Sequence, residues 1–204
     1  MSFLSKITTK PWEHAGEMEE LHGTLGNGYA TNRTGLLLFL AVISSMFLLF
    51  IITYYTRSQF PDWEVLSDPR ILWVNTAVLI LASMAMQLAS SAAKQNKRSN
   101  MRYSLIAGGV LTLAFIAGQL IAWDQMVAAG YYARNNPANA FFYLFTGLHA
   151  LHLLGGMWFL GSLGFRMNQT GKGEKVLQSV KLCATYWHYL LIVWLVLFTL
   201  LLRT

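Results

Sequence analysis

Two histidines, His149 and His152, lie in the run Thr146-Gly-Leu-His-Ala-Leu-His-Leu-Leu-Gly-Gly156, one of the most apolar stretches of the chain. Hydrocarbon rejects an imidazole, so ionisable groups in such a run are functional candidates from the outset. Their spacing of three puts both rings on one helix face, with Gly156 continuing it. Two such histidines could ligate a metal, relay protons or hydrogen-bond between helices. A transition-metal or haem site needs further ligands and carboxylates to orient the imidazoles, and the only other histidine in an apolar stretch is His188. A proton relay needs a succession of ionisable groups, yet the apolar stretches add only Asp124, with Gln87 and Gln119 as neutral company. Interhelical hydrogen bonding is therefore the role expected of His149 and His152. His188 is their candidate partner, because His152 and His188 fall at similar depths on helices of opposite direction. Asp124 reads as a partly solvated acid near a membrane interface.

The elements that must position these groups follow from charge patterning. Of the 204 residues, 55% are hydrophobic and only 12% charged, about half the charge fraction of soluble domains. Mean hydropathy is +0.43. Between successive charged residues lie five long windows: 34–56, 71–93, 103–123, 135–165 and 182–202. Each can supply the roughly 20 apolar residues that cross a hydrocarbon core. Backbone groups in lipid must be satisfied within their own segment, which makes the windows helices. The reading is an all-α membrane protein: a five-helix transmembrane domain over 34–204, with helices at roughly 34–56, 71–93, 103–128, 140–165 and 182–202. An aqueous tail is expected over 1–33, where Glu13, Glu17, Glu19 and Glu20 leave no apolar core for a cleavable targeting segment.

Eleven of the fifteen Lys and Arg residues fall in the tail and in the loops 94–102 and 166–181. The excess of positive charge on that side predicts the N-terminus inside and the C-terminus outside. The cations are spread over three short segments, which argues against a nucleic-acid partner. No loop is long enough to be a soluble domain. Aromatic residues near the segment ends (Tyr54, Tyr55, Trp73, Trp123, Tyr131, Tyr132, Tyr186, Trp187) read as interfacial anchors. Glycines in the third and fourth segments, among them Gly108, Gly109, Gly118, Gly147, Gly155, Gly156, Gly161 and Gly164, read as points of close helix approach. The single cysteine, Cys183, can form neither an intrachain disulfide nor a paired-cysteine metal site.

The segments Phe141-Phe-Tyr-Leu-Phe-Thr-Gly-Leu-His-Ala-Leu-His-Leu-Leu-Gly-Gly156 and Tyr186-Trp-His-Tyr-Leu-Leu-Ile-Val-Trp-Leu-Val-Leu-Phe198 resemble subunit III of the haem-copper terminal oxidases, the cytochrome c and quinol oxidases. Thr146, Gly147, His149, His152, Gly155, Tyr186, Trp187, His188, Val193, Trp194 and Leu195 match the family pattern. Weaker likeness extends through 73–83 and 116–130, so the resemblance covers roughly residues 34–202. It implies the short five-helix bacterial form rather than the seven-helix one, in a bacterial cytoplasmic (inner) membrane. Two membrane-buried carboxylates usual in the family are missing: Ser45 and Leu191 stand in their places.

The resemblance implies a non-catalytic subunit of a proton-pumping complex that reduces oxygen to water in aerobic respiration. Its partners would be subunits I and II, which hold the haem and copper, with bound phospholipid and a larger respiratory supercomplex around them. The chain itself would stabilise the catalytic subunit and support proton uptake, with no catalytic, cofactor or metal residue of its own. The residue inventory agrees: five histidines, two of them (His14, His22) in the tail, cannot ligate two haems and a copper, and one cysteine cannot build a dinuclear copper centre. The electron donor, cytochrome c or quinol, is left open. The competing readings are the related subunit of a nitric oxide reductase system, and a small transporter or channel. A transporter should show inverted repeats and helices broken by Gly or Pro; none of the five windows is interrupted by a proline within its apolar span, and no repeat is visible.

Overall fold

The computed structural model describes residues 28–63, 70–169 and 173–202. The expected tail up to residue 27, with His14 and His22, and the cations Lys172 and Arg203 lie outside the described residues. Five α-helices follow in order: α1 Gly28–Arg57, α2 Ile71–Lys94, α3 Arg98–Ala128, α4 Pro137–Gln169 and α5 Gly173–Leu202. Each contains a segment long and apolar enough to cross a membrane.

The helices run past the charge-free windows. α1 begins at Gly28 rather than at 34, α3 at Arg98 rather than at 103, and α4 at Pro137 rather than at 140. The 166–181 connection, expected as a loop, is helical over 166–169 and 173–181, and residues 170–172 lie outside the described residues. A charged side chain ends a hydrocarbon span, but it does not end a helix: long Lys and Arg stems lie along apolar surface while the head reaches water.

The turns that set α3 and α4 in place have identifiable chemistry. α2 closes with Asn96 in the left-handed region (φ 58°), its N–H on the Ala93 carbonyl at 3.2 Å and the Lys97 N–H on the Ala92 carbonyl at 3.0 Å. This is a Schellman cap, and asparagine tolerates the conformation because its short polar side chain does. α3 closes the same way at Gly130 (φ 86°), with Gly130 N–H on Val127 O at 3.0 Å and Tyr131 N–H on Met126 O at 2.9 Å. α4 then starts with Pro137 in its first turn, where a missing N–H costs nothing. Asn136 caps it, its Oδ1 accepting from the Ala138 N–H at 3.0 Å.

The chain divides into two compact units, residues 1–42 and 43–204. In the first, the described part is the leading half of α1, whose Leu37, Leu38, Phe39 and Val42 are exposed. In the second, α2 packs on α3, α3 on α4, α4 on α5 and α5 back on α2, closing a ring of four helices. The remainder of α1 joins this ring through long side chains. Tyr54, 2% exposed, meets Phe141 edge-on at 5.4 Å and Trp63 at 4.9 Å. Phe47 meets the His152 ring at 5.7 Å. Just beyond α1, Arg57 forks onto Asp62, with Nη1 donating to Oδ1 at 2.7 Å.

The aromatic belt is thinner than the sequence suggested. Trp73, Tyr55 and Tyr132 are exposed as anchors should be, but Tyr54, Tyr186 and Trp187 are buried in the interior. The reason is polar: a tyrosine hydroxyl or an indole N–H is tolerated in the core wherever an acceptor stands opposite it.

Candidate functional site

The interior of the four-helix ring is organised by three repeats of one small device. Trp187 Nε1–H of α5 donates to Thr112 Oγ1 of α3 at 2.9 Å, and that hydroxyl donates in turn to the Gly108 carbonyl at 2.8 Å. Trp194 of α5 donates to Thr76 of α2 at 2.9 Å, and Thr76 to the Leu72 carbonyl at 2.8 Å. Trp123 of α3 donates to Thr146 of α4 at 3.0 Å, and Thr146 to the Phe142 carbonyl at 2.7 Å. Trp187 and Trp194 are seven residues apart, two helical turns, so one face of α5 addresses α3 and α2 in succession. Both indoles, with Thr112 and Thr146, are fully buried. A threonine hydroxyl suits the position because it has one proton to give its own helix and lone pairs for a neighbour. Each device ties two helices without burying a charge.

The three intramembrane histidines occupy three different environments. His149 is fully buried, edge-on to Phe115 at 5.8 Å and tilted against Trp194 at 5.2 Å. Neither of its ring nitrogens has a hydrogen-bond partner among the described residues, nor has the Gln119 amide or Asn75 Nδ2. His152 turns to its own helix: its Nδ1 lies 2.7 Å from the Leu148 carbonyl. A carbonyl only accepts, so the proton sits on Nδ1. The His152 carbonyl in turn accepts from the Tyr186 hydroxyl of α5 at 2.9 Å. His188 turns to α2, with Nδ1 2.5 Å from Ser83 Oγ and Nε2 3.0 Å from Gln87 Oε1.

The expected pairing of His152 with His188 is thus not what forms. His188 faces α2, where a serine and a glutamine one turn apart offer it two partners. His149 makes no interhelical hydrogen bond, and the bond that links α4 to α5 at His152 uses the backbone carbonyl rather than the ring. Asp124, one turn from the end of α3, is exposed. Among the described residues, no three His, Cys, Asp or Glu side chains gather as a metal ion would require.

The glycines also divide. A Cβ on Gly156 would sit 2.7 Å from a Tyr186 ring carbon and 3.2 Å from Trp187, so α4 and α5 do meet there by virtue of a missing side chain. A Cβ on Gly118 would fall 2.1 Å from Asn75 Oδ1, so α2 and α3 also meet at a missing side chain. Around Gly155, Gly161 and Gly164 there is open space, and at Gly147 a Cβ would make ordinary contact with Trp123 at 3.5 Å. Close packing does not explain those four.

Sequence reasoning singled out Thr146, Tyr186, Trp187, His188 and Trp194, and the structure gives each an interhelical hydrogen bond. It missed Thr76, Thr112 and Ser83, and read Trp123 only as an interfacial anchor. The available signal was that every tryptophan placed inside an apolar bundle needs an acceptor, and threonines within apolar windows are the natural ones.

Residues 22–203 match the family model of cytochrome c oxidase subunit III. The cytochrome c oxidase subunit 3 of Synechocystis sp. is 28% identical over 211 residues, covering 97% of this chain and 89% of the relative. That of Thermostichus vulcanus is 26% identical, covering 82% of this chain and 84% of the relative. That of Triticum aestivum is 28% identical, covering 81% and 66%.

Proposed function

The chain belongs to the cytochrome c oxidase subunit III family, an accessory and non-redox component of the oxidase, and we propose that it acts as a neutral scaffold held against the redox subunits I and II. The observation that carries the scaffold role is the set of three Trp–Thr relays, two of them buried in the core. They tie α5 to α3, α5 to α2 and α3 to α4 while placing no charge in the hydrocarbon, and the Tyr186 hydroxyl on the His152 carbonyl ties α4 to α5. In this reading Thr146, Gly147, His149, His152, Gly155, Tyr186, Trp187, His188 and Trp194 shape the ring and do no electron or proton chemistry. The haem and copper belong to the partner subunits, and a respiratory supercomplex would build around them.

The same reading puts the N-terminus inside and the C-terminus outside a bacterial cytoplasmic membrane, since eleven of fifteen Lys and Arg residues lie on the first side. Phospholipid tails would fill the apolar groove of about 410 Å³ between α1 and α5, lined by Ile51, Tyr55, Ile192 and Val196 among others. Proton uptake would be supported through the shape and stability of the catalytic subunit, because Ser45 and Leu191 leave two usual carboxylates absent here. Purification through a tag on this chain in mild detergent, followed by an optical spectrum, tests the reading. Haem bands and a copper-containing partner should accompany the chain; a colourless, partner-free preparation from aerobically grown cells would overturn it.

A further inference from the structure

One polar group on the outside of the bundle is at odds with a hydrocarbon environment. Gln87 of α2 is exposed, although it lies about 24 Å along the helix from Ile71 and about 10 Å short of Lys94, at 1.5 Å per residue. That is inside a core of about 30 Å. His188 beside it is half-buried, about 21 Å along α5 from Leu202 by the same rise. Around the pair the surface is apolar: Met84 is 56% exposed, Leu88 61% and Ile192 61%.

The hydrogen bonds fix which end of the amide points outward. Ser83 is 2% exposed, and its hydroxyl can donate to His188 Nδ1 across 2.5 Å. His188 then carries its proton on Nε2 and donates it to Gln87 Oε1 across 3.0 Å. This arrangement satisfies both ring nitrogens and the amide oxygen, and leaves the Gln87 NH₂ group facing away from the bundle. An unsatisfied donor in hydrocarbon costs several kcal/mol. Glutamine is too short to carry its amide about 10 Å to the interface, and lipid headgroup esters lie as far off, while acyl chains offer no acceptor.

We propose that the α2–α5 surface centred on Gln87 and His188 is the docking site for a transmembrane helix of a partner oxidase subunit. That helix presents an acceptor to the Gln87 amide: a serine, threonine or asparagine oxygen, or a backbone carbonyl freed by a kink. Met84, Leu88 and Ile192 supply the surrounding dispersion contact, and the single amide fixes the register, as one polar residue does in an otherwise apolar helix seam. The Ser83–His188–Gln87 chain then has a purpose in presentation: it orients the donor rather than moving a proton. The inference rests on the chain being an oxidase subunit.

A photo-crosslinking residue at position 87, activated in native membranes of cells making the tagged chain, tests it, with the same residue at Leu113, an exposed position on α3, as control. The expected result is an adduct from position 87, absent from 113, whose partner is identified by mass spectrometry as a haem-bearing oxidase subunit. A 113-like pattern of lipid adducts, or an adduct with a second copy of this chain, overturns the proposal. The optical spectrum of the same tagged preparation separates the two levels: haem present without the adduct refutes the docking surface alone, whereas haem absent refutes the oxidase reading. Gln87→Leu and Gln87→Glu add a graded readout in the complete complex. Both should lower retention of this chain at rising detergent, Gln87→Leu by roughly 3-fold to 18-fold, the span of measured interhelical hydrogen bonds in membranes. Wild-type retention in Gln87→Leu would overturn the proposal.

Discussion

Replacing Thr112 by valine removes one hydroxyl from the centre of the ring at nearly constant volume. The structure says what is lost. Thr112 Oγ1 accepts the only proton of the Trp187 indole at 2.9 Å, and both residues are fully buried. The outgoing bond to the Gly108 carbonyl, at 2.8 Å, is the lesser loss, since that carbonyl keeps its place in the helix. An orphaned buried donor costs about 1–3 kcal/mol, while the interhelical bond itself averages about 0.6 and reaches about 1.7 kcal/mol in membranes. Thr112→Val should therefore destabilise by about 1–3 kcal/mol. Thr112→Ser keeps the bond and should cost about 1 kcal/mol, the worth of one buried methyl. The assay is a double-mutant cycle with Trp187→Phe, read as retention of this subunit by the purified oxidase across a denaturing-detergent titration. The coupling energy should lie between about 0.6 and 1.7 kcal/mol. A coupling indistinguishable from zero, or a serine variant as damaged as the valine variant, would refute the relay as a source of stability. Oxygen reduction per intact complex should stay unchanged throughout.

Four further outcomes are expected. Gly118→Ala puts a Cβ 2.1 Å from Asn75 Oδ1 and should cost about 1–3 kcal/mol by overpacking, with partial rescue by Asn75→Ala; Gly155→Ala, facing open space, should be neutral or stabilising by up to about 1 kcal/mol, and thermal unfolding of the complex separates the two. His149→Phe, which swaps an imidazole without hydrogen-bond partners for a ring suited to Phe115 and Trp194, should leave subunit retention and turnover at wild-type levels, whereas lost oxygen reduction in a complete complex would show that the ring does chemistry. Reporter fusions at Met1 and Thr204 should report opposite sides of the membrane; the same side for both would reject the orientation. The Arg57 side chain holds the Asp62 carboxyl below its ordinary value of 3.8, so the contribution of this fork is present above that value and fades only as pH falls through the lowered one: amide exchange over 60–63 should be the same at pH 7 and pH 5 once corrected for intrinsic rates.

The gross fold was legible because hydrocarbon is an unforgiving solvent. A span must be helical and nearly charge-free, so counting uninterrupted windows found all five helices. Helix ends were not legible by the same rule, since Arg98 and Arg102 sit comfortably inside α3 where it leaves the hydrocarbon. Burial was harder still. Tyr54 and Trp187 have the composition of interfacial anchors, and only the positions of Phe141 and Thr112 on other helices, and of Trp63 in the turn after α1, draw them inward. Partner identity is a long-range property, and the relevant pairs are 75 and 118 residues apart in the chain for Trp187–Thr112 and Trp194–Thr76.

The histidines show why residue type misleads inside a membrane. Rarity made His149, His152 and His188 the conspicuous groups, but most of the side-chain bonds that tie the interior together come from threonine and tryptophan, which no one scans for as chemistry. His152 satisfies itself on Leu148, one turn back, and so contributes to α4–α5 contact only by the carbonyl that Tyr186 reaches. His149 supplies shape between two aromatic rings. Only His188 uses both nitrogens on another helix, and it does so at the edge of the bundle, where its second bond ends on an amide facing outward. In the proposed scaffold, charge-free relays hold the interior, and the Gln87 amide group stands on the surface with a donor to spare, where a neighbouring helix can take it up.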